Sequence, residues 1–509
     1  MAFNLKATAT CAAALFAAGA AQADVTAQEV WDRWQEGLSI YGPNGISIGS
    51  EEMVGPSLTI TDLTMTMTDP EVDEVEVTAT IPSIVLTENG DGTVSVVMSE
   101  SYPIRITDVD DDDPDMSGNE ATIMVTQTGM DLLVSGTSDA MVYEISADKL
   151  TVSLDEVMDG GEAIPAEAFL SLNGVTGTYT ASYGDLNTVV FALNTGGIDM
   201  LVDVSDPEGE GYLNLSGQIA DLAVGGDISI PADMDYDAPE SMFIDGFAVD
   251  TSYEFGQSAY LLDFVDGSDM ANGTLSSANG TFGIAVDYDG ITYSTGFTDL
   301  AVNFTGSEVP LPVEFSIAEY DMGIDMPLSS QDTASELGAR FILRDLAVSE
   351  MIWGMVDPGG QLPHDPLTVA VQLSGMGRLF YDMMDPAQAM QATSGSELPG
   401  EMESLSLDNL TISAAGAEIL GDGAFTFDFS DFQTIPGAPR PEGQLNLAIN
   451  GVNGLIDTLV QMGLVPEQQV MGAQMMMGAF TRPVGEDMLE TEIVINSEGQ
   501  ILANGQRLQ

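Results

Sequence analysis

From Leu58 onward the chain alternates apolar residues with Thr, Ser, Asp or Gly in steps of two, and it does so over most of its length. A period of two suits a strand with one buried face and conflicts with the ~3.6-residue repeat of a helix. Leu58-Thr59-Ile60-Thr61 and Leu63-Thr64-Met65-Thr66-Met67-Thr68 set the pattern. Val72-Asp73, Val75-Glu76-Val77 and Ile84-Val85-Leu86 carry it into Asn89-Gly90-Asp91-Gly92, a hairpin signal followed by Val94-Ser95-Val96. It returns over residues 143–154, 168–194, 198–204, 212–230 and 282–304, punctuated by Asn, Asp and Gly. The 54 glycines fit a chain with many turns and bulges. At ordinary strand lengths there is room for on the order of 25 strands, too many for one sandwich. The expected fold is mainly β: an elongated, curved antiparallel sheet or two stacked β units.

Helical spacing is confined to a few places. Thr26-Ala27-Gln28-Glu29 is a T-x-x-E capping box, and Val30, Trp31, Trp34 and Leu38 follow on one helical face. This predicts a short N-terminal helix docked onto the body by its tryptophans. Residues 155–158 and 165–169 amount to single turns at most. Met351–Val356 reads as a helical turn, and residues 379–384 and 387–392 as short helical pieces around Asp385-Pro386. The clearest helices form a pair over about residues 452–480. Leu455, Ile456, Leu459, Val460 and Met462 mark the first, which Gly463 ends at C′; Pro466 opens the second. A closing hairpin turns at Ser497-Glu498-Gly499. Two β-rich regions are expected, 24–335 and 336–509, with no fixed-period repeat.

Residues 1–23 read as a secretory signal peptide: Lys6, an apolar stretch from Ala7 to Ala20, then Ala21-Gln22-Ala23 before Asp24. The chain's one cysteine, Cys11, would leave with it, so folding rests on apolar burial without disulfides. No later stretch has 18 uninterrupted apolar residues, so no anchor helix is expected after cleavage. The expected location is the periplasm, with secretion as the alternative. The mature chain carries 81 acids against 9 lysines and arginines (10 less Lys6), a net charge of 9 − 81 = −72. Such a surface repels nucleic-acid phosphates and anionic bilayers. It is read as adaptation to a saline medium, with divalent-cation binding as the sharper alternative.

Motifs of known chemistry mostly fail on context. Gly45-Ile46-Ser47-Ile48-Gly49 matches the G-x-S-x-G nucleophile elbow but has no helix after the serine. The lone histidine, His364, sits in the proline-bracketed Leu362-Pro363-His364-Asp365-Pro366. Ser146-Ala147-Asp148-Lys149 matches S-x-x-K within a strand pattern and lacks its partner motifs. The densest acidic run holds Asp110, Asp111, Asp112, Asp113 and Asp115. It starts like a calcium loop from Asp113, yet Met124 stands where the bidentate Glu belongs. These aspartates are weak candidates for a Ca²⁺ site; no other metal, cofactor or catalytic residue is assigned.

Several strings in the C-terminal half resemble the DUF2125 family of alphaproteobacterial exported proteins. They are Trp353-Gly354-Met355-Val356-Asp357-Pro358-Gly359-Gly360 with residues 362–366, Gly421-Asp422-Gly423-Ala424-Phe425-Thr426-Phe427, Gly454-Leu455-Ile456-Asp457, Met462-Gly463-Leu464 and the closing residues 502–508. With the tryptophan helix, the resemblance extends over nearly all of the mature chain. It implies a β-rich envelope protein of unknown role and offers no catalytic residues to carry over. The expected function is a non-catalytic periplasmic binding or structural protein of the envelope. Its 29 methionines could line an adaptable surface for an apolar ligand or lipid, although gap-filling is their commoner use. A calcium-stabilised surface-layer or adhesin-like protein is the alternative. An outer-membrane barrel fits least, since Arg507-Leu508-Gln509 ends without an aromatic. The partner expected is a lipid or other envelope component, not nucleic acid; the oligomeric state is not legible.

Overall fold

The computed structural model describes residues 24–38, 45–68, 75–108, 119–159, 161–207, 209–232, 242–394, 398–435 and 437–508. The fold is 65% strand and 11% helix, built as one large antiparallel sheet. The stacked-unit version of the expectation therefore gives way to a single sheet. Its order broadly follows the chain, with departures where Val94–Met98 pairs with Asp131–Thr137, Glu120–Thr128 with Ala140–Asp159 and Ala248–Phe255 with Asn279–Val286. Strand Ser57–Thr68 lies near one edge, paired outward with Ser50–Val54 and inward with Val75–Glu88. Near the other edge, Met488–Ile495 pairs with Arg440–Asn450 and Ile501–Ala503. No ladder among the described residues joins the two ends, so the sheet is open. The ladder passes without interruption across residues 335 and 336, where Ser335–Val348 pairs with strands on both sides.

Strands are longer than the sequence pattern suggests. Ala140–Asp159, Leu186–Ser205 and Tyr212–Pro231 each run 20 residues. Residues 155–158 and 165–169, read as turns, lie in or at the start of strands: Met158 pairs with Ala163, and Phe169 with Ser153. Cross-strand pairing on both sides outweighs the weak local turn signal.

A line of irregular residues crosses the middle of these strands. Asp62, Gly129, Gly174, Asp221, Asp299 and Asp345 all have φ between 50 and 63°. The register puts them at one level: Gly174 faces Gly196, Gly196 faces Asp221, and Asp299 faces Ala318. Apolar residues change parity at this line. In Leu186–Ser205 they occupy 189, 191 and 193 before it, then 198, 200 and 202 after it. In Gly290–Gly306 they occupy 291, 293 and 297, then 300, 302 and 304. A shift of one residue would send every later side chain to the opposite face; one inserted residue per strand returns them. The sheet is therefore creased along its length while keeping one apolar face.

Five helices decorate the described sheet: α1 (Ala27–Leu38), α2 (Glu350–Val356), α3 (Pro386–Thr393), α4 (Val452–Gln461) and α5 (Glu467–Phe480). The capping box closes as expected, with Thr26 N–H donating to Glu29 Oε2 at 2.9 Å and Glu29 N–H to Thr26 Oγ1 at 3.2 Å. Gly463, at φ 73°, follows α4, and Pro466 caps α5. Residues 379–384 are not helical. Leu379 ends a strand by pairing with Gly400, and Asp382 then accepts the Ser330 N–H, fixing a turn.

Candidate functional site

Directly opposed residues of an antiparallel pair place their side chains on the same face. One row can therefore be followed strand by strand across the sheet. It starts at Met53, Leu58, Leu86, Val96, Leu132 and Ile145. It continues through Gly177, Leu193, Val224, Tyr253 and Phe282. It ends through Thr295, Met322, Phe341, Val371, Leu410, Gly421, Leu447 and Thr491. These nineteen positions in nineteen strands contain no charged residue. A parallel row from Tyr143 through Tyr179, Phe191, Ile284, Tyr293 and Leu373 to Ile493 is equally uncharged. Beyond the crease, Val152, Leu170, Met200, Tyr260, Leu275, Val302, Phe315 and Val348 continue the apolar surface.

Aromatic rings reinforce the centre of this face. Tyr253 stacks on Phe282 with centroids 5.1 Å apart, and Phe297 on Tyr320 at 4.8 Å. The Phe255 ring lies over Gly280, where a Cβ would collide with it, so only glycine admits the ring there.

Among the described residues the face is covered at its N-terminal end and at its last strand, where Thr491 is buried and donates to Phe480 O at 2.6 Å. At the N-terminal end α1 lays Val30 and Trp31, both 0% exposed, against Leu58, Ile60, Leu86, Val134 and Met141. Trp31 Nε1–H donates to Glu51 at 3.1 Å, and Trp34 packs at the margin. Arg33 ties the helix down by donating to Ser138 O at 3.0 Å and lying over the Tyr183 ring. Burial pushes the Tyr143 hydroxyl up to about 12. Farther along, the same face is open: Tyr253, Ile324, Phe341 and Ile412 are 37–40% exposed. Two shallow recesses lie on the other face. One of about 520 Å³ is lined by Leu133, Glu144, Thr178 and Asn194, and one of about 290 Å³ by Thr274, Asn303, Glu314 and Ser349.

Charge is kept to that other face and the strand ends. Asp227 pairs with Asp250, Asp199 with Gln218, and Asp263 with Asn272. Between Lys149 and Arg340 the chain has 33 acids and no Lys, Arg or His. Arginines cluster later, where Arg340 pairs with Asp321, Arg344 with Glu319 and Arg378 with Glu401.

Ser47 ends a two-residue strand, and Ser146 and Lys149 lie mid-strand in Ala140–Asp159. His364 stacks on Trp353 at 4.4 Å and hydrogen-bonds Glu350 at 3.0 Å. Its Nε2 stands 3.8 Å from Asp357, whose buried carboxylate accepts the Leu362 N–H at 2.6 Å. This knot joins α2 to the proline loop. His364 Nε2, Asp357 Oδ1 and Ser349 Oγ are buried there without a hydrogen-bond partner among the described residues. No described Ser or Thr hydroxyl bonds the imidazole. Asp110, Asp111, Asp112, Asp113 and Asp115 lie outside the described residues. Among the methionines, Met141 is buried in the core, Met322 lies on the open face, and Met471 and Met475 on α5 are exposed. The uncovered face itself has no signature motif; its signal is the unbroken alternation together with its parity changes.

No described helix is long and apolar enough to cross a membrane. No curated protein matches the chain. Residues 264–504 match the family model described as "Uncharacterized protein conserved in bacteria (DUF2125)". The matched span takes in the strings at 353–366, 421–427 and 454–464, whereas α1 and the sheet's first strands precede it, so it is narrower than the near-full coverage expected from the sequence. Over residues 264–504, a little under half of its length, the chain is similar to this family.

Proposed function

We propose that this chain is a non-catalytic binding protein of the bacterial periplasm that holds an apolar ligand or lipid on the uncovered face of its creased sheet. The observation that carries this reading is the charge-free row over nineteen strands, of which α1 covers only the start. A monomeric soluble protein rarely leaves a contiguous apolar patch beyond a few hundred Å² in contact with water. An antiparallel sheet can face water with one side, but that side is then normally polar. Here the polar side already exists and is densely acidic. The apolar side is best explained as a surface filled in use.

The test is native mass spectrometry of the chain purified from the periplasm without chelators or detergent, with solvent extraction of the same sample. A stoichiometric apolar adduct that extraction removes is the expected result. Bare protein in every preparation would overturn the reading.

A further inference from the structure

Resting on that reading, we infer that the ligand is a lipid with an uncharged or zwitterionic headgroup, and that several such molecules sit side by side along the sheet.

Multiple occupancy follows from dimensions. Nineteen strands at ~4.8 Å spacing make an apolar run of roughly 85 Å. One leaflet of a bilayer's hydrocarbon core is only about 15 Å deep, which sets the length of a lipid's chains. Each side of the crease presents about ten residues per long strand, roughly 33 Å at ~3.3 Å per residue. Acyl chains can thus lie along the strands with space for neighbours, and no charged side chain in the row divides it into compartments.

The headgroup class follows from charge. The middle of the open face, around Tyr253, Phe282 and Tyr293, is served by the segment with 33 acids and no Lys, Arg or His. A headgroup at the margin of the sheet meets carboxylates with no cation in that segment to receive a phosphate. A net negative headgroup is repelled there, and the repulsion is strongest at low salt.

The experiment incubates the full mature chain with vesicles of dioleoylphosphatidylcholine or dioleoylphosphatidylglycerol, separates the vesicles, and counts bound lipids by native mass spectrometry. Two or more phosphatidylcholines per chain are expected, with at least tenfold less phosphatidylglycerol at low salt. A single phosphatidylcholine would overturn multiple occupancy while leaving the ligand-binding reading intact. Equal loading with phosphatidylglycerol would overturn the headgroup assignment. A lipid-free dimer would assign the face to a second copy and overturn both. Phe282→Asp, with its folding checked by circular dichroism, should reduce the number bound; an unchanged count would place the lipid elsewhere.

Discussion

Four of the six left-handed residues on the crease are aspartates, at positions 62, 221, 299 and 345. A residue with a Cβ at positive φ costs roughly 1–2 kcal/mol, with Asp and Asn the side chains that tolerate it best. Aspartate also keeps the crease polar where two apolar stretches meet. Glycine should serve the backbone equally well, whereas a β-branched residue should not. Asp221→Gly is expected to change stability by less than about 0.5 kcal/mol, since it relieves φ strain while loosening the unfolded chain. Asp221→Val should cost about 1–2 kcal/mol or more. Urea titration of both variants checks this, and equal stability would mean that the left-handed geometry is not what the position demands.

At the scale of elements, α1 is the part of the molecule with the most complete core. Trp31 and its strand partners are fully buried, while most later apolar side chains are only partly covered. Trp31→Ala should destabilise this end by about 3–5 kcal/mol through lost burial and the cavity left behind. Thermal unfolding followed by near-ultraviolet circular dichroism would measure it; a loss below about 1 kcal/mol would show that the helix is not held by this residue. The helix was legible in sequence because its signals are local: a capping box and a tryptophan face. The same holds for α4 and α5, set by Gly463 and Pro466, and for the hairpin at Asn89–Gly92. The crease was not legible as such. Single Asp or Gly residues inside long strands give the same local signal as hairpin turns, and only the register distinguishes them. Asp299 is an example: the ladder to its neighbour keeps one register on both sides of it, from Thr298 with Glu319 to Leu300 with Ile317. The open face was legible only as alternation, since one strand's pattern says nothing of whether another layer covers it.

For the whole molecule, acidity and architecture act on one another. A folded ribbon with two exposed faces spreads its carboxylates more widely than a compact globule would, which lessens self-repulsion without removing it. The balance of 10 − 81 = −71 has only ten lysines and arginines to offset it. The described ion pairs between strands flank the cation-free segment: Arg105 with Glu120 precedes it, and Arg344 with Glu319 and Arg440 with Asp428 lie at or beyond its end. The cation-free middle depends on the surrounding ions instead. Raising ionic strength from about 0.01 to 0.1 M shortens the screening length from ~30 to ~10 Å, below the separation of many like charges on such a sheet. The melting temperature should therefore climb steeply over that range and level off at higher salt, with sodium and potassium equivalent. Calcium at matched ionic strength should add a further increase only if the run from Asp110 to Asp115 binds it. A melting temperature independent of sodium chloride would show that the acidic face does not strain the fold. The excess charge would then have to be explained by what the protein repels rather than by the medium in which it folds.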